Sequence, residues 1–288
     1  MKIQFTMLVE ESKQLIALGT VKHPKVKKAL ENGKIILKGG TTVSRISEIL
    51  LKKPMRISGR ITARGTVTAL NYSKEPHTLI IENGKWENID EELSKKIKEL
   101  GLDDVIICGA NAFDHNGKAA LIVGSTRGGS RLSFSSWYTE GASIIIPVGI
   151  EKMIPGDIDE IINKCSRKGK NCLTGASVGL LPIYGEIITE IEAIKNLADV
   201  ECQAIGSGGL GEANGSVTLE VWGEDKEVSE ILSIIMKIKD EKKYISGNKE
   251  SLIECHAICK SCSRHIGCGY KNEALKEIKK RRPKTNPL

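Results

Sequence analysis

Short apolar runs bounded by glycine or polar residues recur in the first half of the chain and predict buried strands. The clearest runs are Lys34–Lys38, Val105–Cys108, Ala119–Val123 and 143–148. Apolar runs without polar alternation fit strands that are covered on both faces, as in a mostly parallel sheet flanked by helices. Apolar residues at helical spacing after the first run predict a helix there, and a second, charged amphipathic helix is predicted at 89–100.

The second half of the chain shows a different pattern, in which a helix, two strands and a helix follow one another. The predicted helices cover 187–198 and 228–238, and the strands between them cover 200–205 and 216–222. Together with a short element at 180–184, this order resembles a ferredoxin-like α+β unit.

The fold class predicted is therefore α/β: a mostly parallel sheet flanked by helices, followed by a small ferredoxin-like α+β domain and a cysteine-rich tail. Pro155-Gly156 and a polar segment at 163–172 indicate a break in the chain. We expect an α/β ligand-binding domain at 1–172, the ferredoxin-like domain at 173–245 and a metal-binding tail at 246–288.

Composition narrows the classes of protein and partner. The chain has 40% hydrophobic and 27% charged residues, as in globular proteins, and no apolar run approaches the roughly 18 residues of a membrane span. The N-terminus lacks an export pattern, so we expect a cytoplasmic protein without a membrane partner. The net charge of +7 is modest, and the basic run at 279–282 has no interleaved aromatic residues, so nucleic acid is not a predicted partner.

Two glycine-containing loops are candidate anion sites, which predicts a small anionic metabolite as partner. The first, Gly39, Gly40, Thr41 and Thr42, offers close backbone approach, two hydroxyl groups and the N-terminus of the following helix. The second follows the strand Ala119–Val123, and its candidate ligand-binding residues are Ser125, Thr126, Arg127, Gly128 and Gly129. Either loop could instead be a plain strand-to-helix connection.

The order of these motifs resembles the superfamily of ribose-5-phosphate isomerase, the coenzyme A transferases, the regulatory subunits of translation initiation factor two B and the lactate-utilisation proteins. The resemblance covers roughly 33–155 and includes the pair Glu151-Lys152 after a strand. It implies phosphate binding at the first loop. Asn111 is a candidate ligand-binding residue that stands where the isomerases have an acid, and an amide cannot act as a carboxylate base. Asp114 is the candidate catalytic substitute, although Asp-His-Asn-Gly is also an ordinary turn sequence.

The tail carries the sharpest single motif, four cysteines within a short span and without an export signal. They are predicted metal ligands: Cys255, Cys259, Cys262 and Cys268. Thiolates this close repel one another unless a metal neutralises them. Their close spacing favours a 4Fe–4S iron–sulfur cluster over zinc, which stays the alternative.

Two functional hypotheses follow. In the first, the protein is an isomerase-like, transferase-like or iron–sulfur-assisted enzyme that acts on a phosphorylated or coenzyme-linked small metabolite. In the second, it is a non-catalytic metabolite or redox sensor, or an electron-transfer partner, that carries the cluster or a structural zinc. The sequence alone leaves open whether the protein is an enzyme and whether it forms a homo-oligomer.

Overall fold

The computed structural model describes residues 1–63, 65–68, 73–124, 134–171, 173–241 and 247–253. In chain order, its strands are β1 (Lys2–Met7), β2 (Lys34–Lys38), β3 (Gly59–Thr62), β4 (Gly65–Thr68), β5 (Thr78–Glu82), β6 (Lys85–Asn88), β7 (Val105–Cys108), β8 (Ala112–Phe113), β9 (Ala119–Val123), β10 (Ser143–Pro147), β11 (Gly179–Ile183), β12 (Glu186–Ile188), β13 (Val200–Gly208) and β14 (Ser216–Gly223). Its helices are α1 (Val9–Lys22), α2 (Pro24–Asn32), α3 (Thr41–Leu51), α4 (Leu93–Lys96), α5 (Phe134–Thr139), α6 (Ile158–Lys164), α7 (Glu190–Leu197) and α8 (Asp225–Asp240).

A six-stranded mixed sheet forms the centre, in the order β12-β10-β7-β2-β5-β6. The first four of these strands are parallel to one another, and β5 and β6 extend the sheet in antiparallel pairs. Residues of the central strands alternate between two buried clusters: Ile36, Ile106 and Ile146 belong to one cluster, and Ile35, Ile107 and Ile145 belong to the other. The central strands are thus covered on both faces, which confirms the α/β class with a largely parallel sheet.

A smaller three-stranded sheet lies beside the central one, in the order β11-β9-β8. It is antiparallel throughout, and the β8–β9 hairpin contains the predicted turn at 114–117. A separate two-stranded hairpin consists of β3 and β4.

The third sheet joins the N-terminal strand β1 to β13 and β14 of the second half of the chain. β14 lies between β13 and β1, and all three strands are antiparallel. One buried cluster joins α8, α7, this sheet and α1, with Ile231, Ile194, Leu219 and Leu15 as members. Strand pairing therefore crosses the predicted boundary at residue 172, both here and where β12 joins β10. The division into three domains stays a prediction.

Two predicted helices differ from the structure. The apolar pattern at 187–198 begins as the edge strand β12, and helix α7 starts only at Glu190, after Thr189 caps it. The stretch at 89–100 forms only the single turn α4 and a 3-10 turn at Ile97–Glu99. In both places, pairing or packing with distant residues overrides a helical pattern. Among the described helices, none has the length and apolar character needed to cross a membrane.

Candidate functional site

The parallel strands bring four chain segments together at one edge of the central sheet. β2, β7, β10 and β12 end there in the same direction, and their exits begin at Gly39, Gly109, Val148 and Thr189. In open α/β sheets, ligands bind outside the carboxyl ends of the parallel strands. This edge, which we call the carboxyl edge, is therefore the candidate functional site.

The first glycine-threonine loop lies at the carboxyl edge, as the sequence predicts. Gly39 donates its backbone N–H to the carbonyl oxygen of His77 at 2.6 Å, and a Cβ added at Gly39 would lie 2.6 Å from that same oxygen. Only glycine fits here without displacing His77. Gly40 is the N-cap of α3, with an extended backbone and no side-chain capping bond.

Thr42 in the first turn of α3 is buried, with 3% of its surface exposed. Its Oγ1 has no hydrogen-bond partner among the described residues. A buried hydroxyl without a partner costs on the order of 1–3 kcal/mol relative to a satisfied one. The first turn of α3 contains no acidic side chain, so nothing in the helix itself neutralises the positive end of its dipole. The loop therefore presents unsatisfied donors.

His77 and Cys108 flank the loop as neutral groups. Burial and the nearby charge of Lys38 lower the pKa of His77 to about 3. Burial raises the pKa of the Cys108 thiol to about 11, against the opposing effect of Lys38. Lys38, at the end of β2, therefore contributes positive potential at the carboxyl edge, while the two neighbouring groups stay uncharged near neutral pH.

Asn111 and Asp114 both make structural hydrogen bonds in the β8–β9 hairpin. Asn111 Oδ1 accepts the backbone N–H of Ile122 at 2.9 Å. Asp114 accepts two N–H groups on Oδ1, from Asn116 at 2.9 Å and from Lys118 at 3.0 Å, and that of Ile158 on Oδ2 at 2.9 Å. The Asp114 carboxylate thus joins the hairpin to the first residue of α6.

The environment of Asp114 keeps it ionised. Burial, at 1% exposure, raises its pKa, but the three backbone donors outweigh burial and hold the pKa below its ordinary value. A carboxylate that is already engaged by three donors is a poor proton acceptor. The geometry therefore supports the turn interpretation of Asp114, and we assign this residue no catalytic step.

A group of ionisable residues that sequence analysis did not select lies farther along the carboxyl edge. Glu190, at the start of α7, is fully buried and accepts the backbone N–H of Ile150 on Oε2 at 2.9 Å. Lys152 donates from Nζ to the carbonyl oxygen of Ala110, after β7, at 3.3 Å. Helix α1 places Ser12 and Lys13 against the same group, and both are buried. The Glu-Lys pair after a buried strand was the one sequence signal for this group.

Burial sets the charge states in this group. It raises the pKa of Glu190 to about 7, although the Ile150 N–H acts in the opposite direction. Burial also lowers the pKa of Lys152 below its ordinary value, helped by the charge of Lys13 and opposed by Glu151 and Glu190. An acid whose pKa is raised beside an amine whose pKa is lowered is an arrangement suited to proton transfer near neutral pH.

The remaining predicted site residues lie outside the described residues. They are Ser125, Thr126, Arg127, Gly128 and Gly129 of the second loop and Cys255, Cys259, Cys262 and Cys268 of the tail. Within the described residues, no group of three or more histidine, cysteine, aspartate or glutamate side chains could hold a metal ion. The four-cysteine metal site therefore stays a prediction from sequence.

Comparisons with protein-family models, curated proteins and solved structures found no match to this chain.

Proposed function

We propose that the protein binds a small anionic metabolite, phosphorylated or coenzyme-linked, at the carboxyl edge of its central sheet, and acts on it as an isomerase- or transferase-like enzyme. The unpartnered hydroxyl of Thr42 in the first turn of α3 carries this proposal. An anion seated there would accept that hydroxyl hydrogen together with the free N-terminal amides of the helix.

Charge at the carboxyl edge supports an anionic ligand. Lys38 ends β2 directly before the loop, and its charge acts on both His77 and Cys108. Lys152 lies on the other side, beyond the exit of β7, and donates to Ala110. A ligand between these two positions would meet positive potential from both sides and from the helix dipole.

Chemistry beyond binding is supported by Lys152 and Glu190 rather than by Asp114. Asp114 is engaged by three backbone donors in a turn, whereas Glu190 Oε1 and Glu151 Oε2 are buried and have no hydrogen-bond partner among the described residues. The partly exposed Glu151 can offer its carboxylate to a ligand, and the raised pKa of the buried Glu190 limits the negative charge beside Lys152. This favours an enzyme over the alternative of a non-catalytic sensor.

For the tail, we propose a 4Fe–4S cluster held by Cys255, Cys259, Cys262 and Cys268, because thiolate sulfur is the preferred ligand of such clusters. The cluster would supply electron transfer or bind a substrate heteroatom.

Thr42→Val tests the anion site, because it removes the hydroxyl and keeps the shape of the side chain. Without ligand, the variant should be more stable than the wild type by about 1 kcal/mol, since a buried unsatisfied group is lost. Its affinity for inorganic phosphate, or for the best compound in a panel of sugar phosphates and coenzyme A thioesters, should fall by about tenfold, equivalent to one charge-assisted hydrogen bond. Calorimetric titration and thermal melting measure the two effects.

Ser47→Ala is the matched control. Ser47 lies in the same helix, is fully buried and also has an Oγ without a partner among the described residues, but it is more than one turn from the N-terminus. This variant should be stabilised in the same way and should bind the anion as the wild type does. The anion site is refuted if no compound in the panel shifts the melting temperature of the wild type, or if both variants bind alike.

A further inference from the structure

At the carboxyl edge, Lys152 combines partial exposure with a weakly held amine. Its side chain is partly exposed, and its Nζ donates a single long bond of 3.3 Å to the Ala110 carbonyl oxygen. Within the described part of the chain, no carboxylate lies at ion-pair distance from this nitrogen. Lys13, by contrast, is buried and paired with Glu10 at 2.5 Å. The amine of Lys152 is thus free to react.

The charged groups around Lys152 come from three elements. Glu151 precedes it in the turn after β10, Glu190 begins α7, and Lys13 and Glu10 belong to α1. Burial lowers the pKa of Lys152 most, and Lys13 lowers it further, whereas the three carboxylates raise it. Because the net shift is downward, a larger fraction of the amine is neutral at neutral pH than for an ordinary lysine. A neutral lysine amine is the nucleophile that attacks carbonyl carbon.

Two carboxyl groups beside Lys152 have oxygens that lack hydrogen bonds. Glu151 Oε2 and Glu190 Oε1 are buried and have no hydrogen-bond partner among the described residues. Ser12 lies near enough to lower the pKa of Glu190, but its hydroxyl is not in hydrogen-bond geometry with the carboxyl group. Glu190 is fully buried and cannot touch a ligand, so it acts as a positioning residue that limits negative charge beside the amine. Glu151 is partly exposed, and its charge acts on Lys152.

The amine lies close to the proposed anion site. A Cβ added at Gly109 would lie 3.9 Å from Cγ2 of Val43, which is in the first turn of α3, and 3.4 Å from the carbonyl oxygen of Pro147 at the end of β10. Ala110, the acceptor of the Lys152 bond, is the next residue after Gly109. The first turn of α3 and the Lys152 amine therefore lie against adjacent residues of the β7 exit, Gly109 and Ala110. A short molecule with an anionic group at one end would reach both.

We propose that Lys152 condenses with the carbonyl group of a short anionic aldehyde or ketone to form an imine. This inference rests on the proposed anion site for the identity of its substrate class. The amine nitrogen bonds to the carbonyl carbon as the carbonyl π bond breaks, and the Glu151 carboxylate carries one of the two nitrogen protons to the oxygen to give a neutral carbinolamine. The carboxylate then carries the second nitrogen proton to the hydroxyl group as the carbon–oxygen bond breaks, so that one water leaves and the imine remains. No oxidant or reductant is required.

Pyridoxal 5′-phosphate is the probe, because it carries an aldehyde and a phosphate on one small molecule. The full-length protein is incubated with the probe, reduced with sodium borohydride and mapped by peptide mass spectrometry. We expect Lys152 to be labelled severalfold faster than Lys164, an exposed lysine, because a lowered pKa leaves a larger fraction of the amine neutral. Inorganic phosphate should protect Lys152 and leave Lys164 unaffected. Lys152→Met should lose the labelled peptide, and Lys164→Met should retain labelling at Lys152.

The outcomes separate this inference from the proposed function. If phosphate stabilises the protein but Lys152 is labelled no faster than Lys164, the imine is refuted and the anion site stands. If Lys152 is labelled rapidly in both the wild type and Thr42→Val, without protection by phosphate, the reactive amine stands and the anion site at α3 fails. The measurement on the wild type decides the reactivity of Lys152 even if Lys152→Met does not fold.

Discussion

Asp114→Asn should destabilise the protein substantially, because the native carboxylate accepts three backbone N–H groups. An asparagine can keep the two bonds to Asn116 and Lys118 through its carbonyl oxygen, but its NH2 group then faces the N–H of Ile158. Ile158 is fully buried, so no water replaces the lost acceptor. The loss of one charge-assisted bond, with a donor left unsatisfied, is worth about 2–4 kcal/mol.

This loss should lower the melting temperature by on the order of 5–10 °C for a chain of this size. Calorimetry or denaturant unfolding at neutral pH measures it. Asp103→Asn is the control, because Asp103 is exposed and forms only a surface ion pair with Lys28, and the expected change is below about 0.5 kcal/mol.

The stability contributed by the Asp114 carboxylate should decrease as the pH is lowered. The folded-state pKa of this carboxyl group lies below its ordinary value of 3.8, so its contribution is complete above that value and is lost as pH falls through the lower, folded-state pKa. The difference between wild type and Asp114→Asn should therefore shrink under acidic conditions. If Asp114→Asn melts like the wild type and abolishes turnover, the structural assignment is wrong and the catalytic role is restored.

Three further predictions concern the loop, the buried acid and the tail. Gly39→Ala should lower the free energy of unfolding by several kcal/mol, because the added methyl group would overlap His77. Gly40→Ala should lower it by about 1 kcal/mol or less, because the nearest atom to the added Cβ is 4.0 Å away. Glu190→Gln should gain stability relative to the wild type as pH rises from about 5 to about 9, by up to roughly 3 kcal/mol. A folded-state pKa raised from 4.5 to about 7 makes the native glutamate lose stability over this range, and a flat difference across pH would contradict the assignment. Anaerobically purified protein should contain iron and acid-labile sulfide and should show a visible absorption band. Cys262→Ser should abolish this band, whereas Cys165→Ser, which changes an exposed cysteine outside the motif, should preserve it. Zinc without sulfide would refute the cluster.

The local sequence pattern was sufficient to predict the buried strands at the centre of the α/β unit. The bounds of β2 and β7 match the apolar runs, because the inner positions of a strand buried on both faces must be apolar. The run Ala119–Val123 also forms a strand, β9, but it lies in the antiparallel side sheet and is only half-buried over its last three residues. Helix α3 follows from Gly40 at the N-cap and from an apolar stripe at helical spacing. The glycine-threonine loop is a local consequence of both, so its place at the carboxyl edge was predictable.

Pairing between distant residues was not predictable in this way. β12 has only three residues and is a strand because β10 lies beside it, so its own sequence reads as the start of a helix. β1 joins β14 across almost the whole chain, and no local pattern specifies that partner. Asp114 shows the same limit within a motif: the turn sequence was visible, but the bond to Ile158 that buries the carboxylate depends on where α6 packs.

The sequence by itself determined the apolar strands, the glycine-threonine loop and the four-cysteine motif, because each is encoded in residues that are neighbours along the chain. Only the tertiary structure decided which ionisable groups meet at the carboxyl edge. Lys152, Glu190 and Lys13 come from three separate segments, and each is an ordinary surface residue type in sequence. Parallel pairing of β10 and β12, with α1 packed across them, buries these groups and shifts the pKa values of Lys152 and Glu190. Burial is the physical reason why these groups could not be recognised from the sequence, because the sequence does not show which side chains are removed from water.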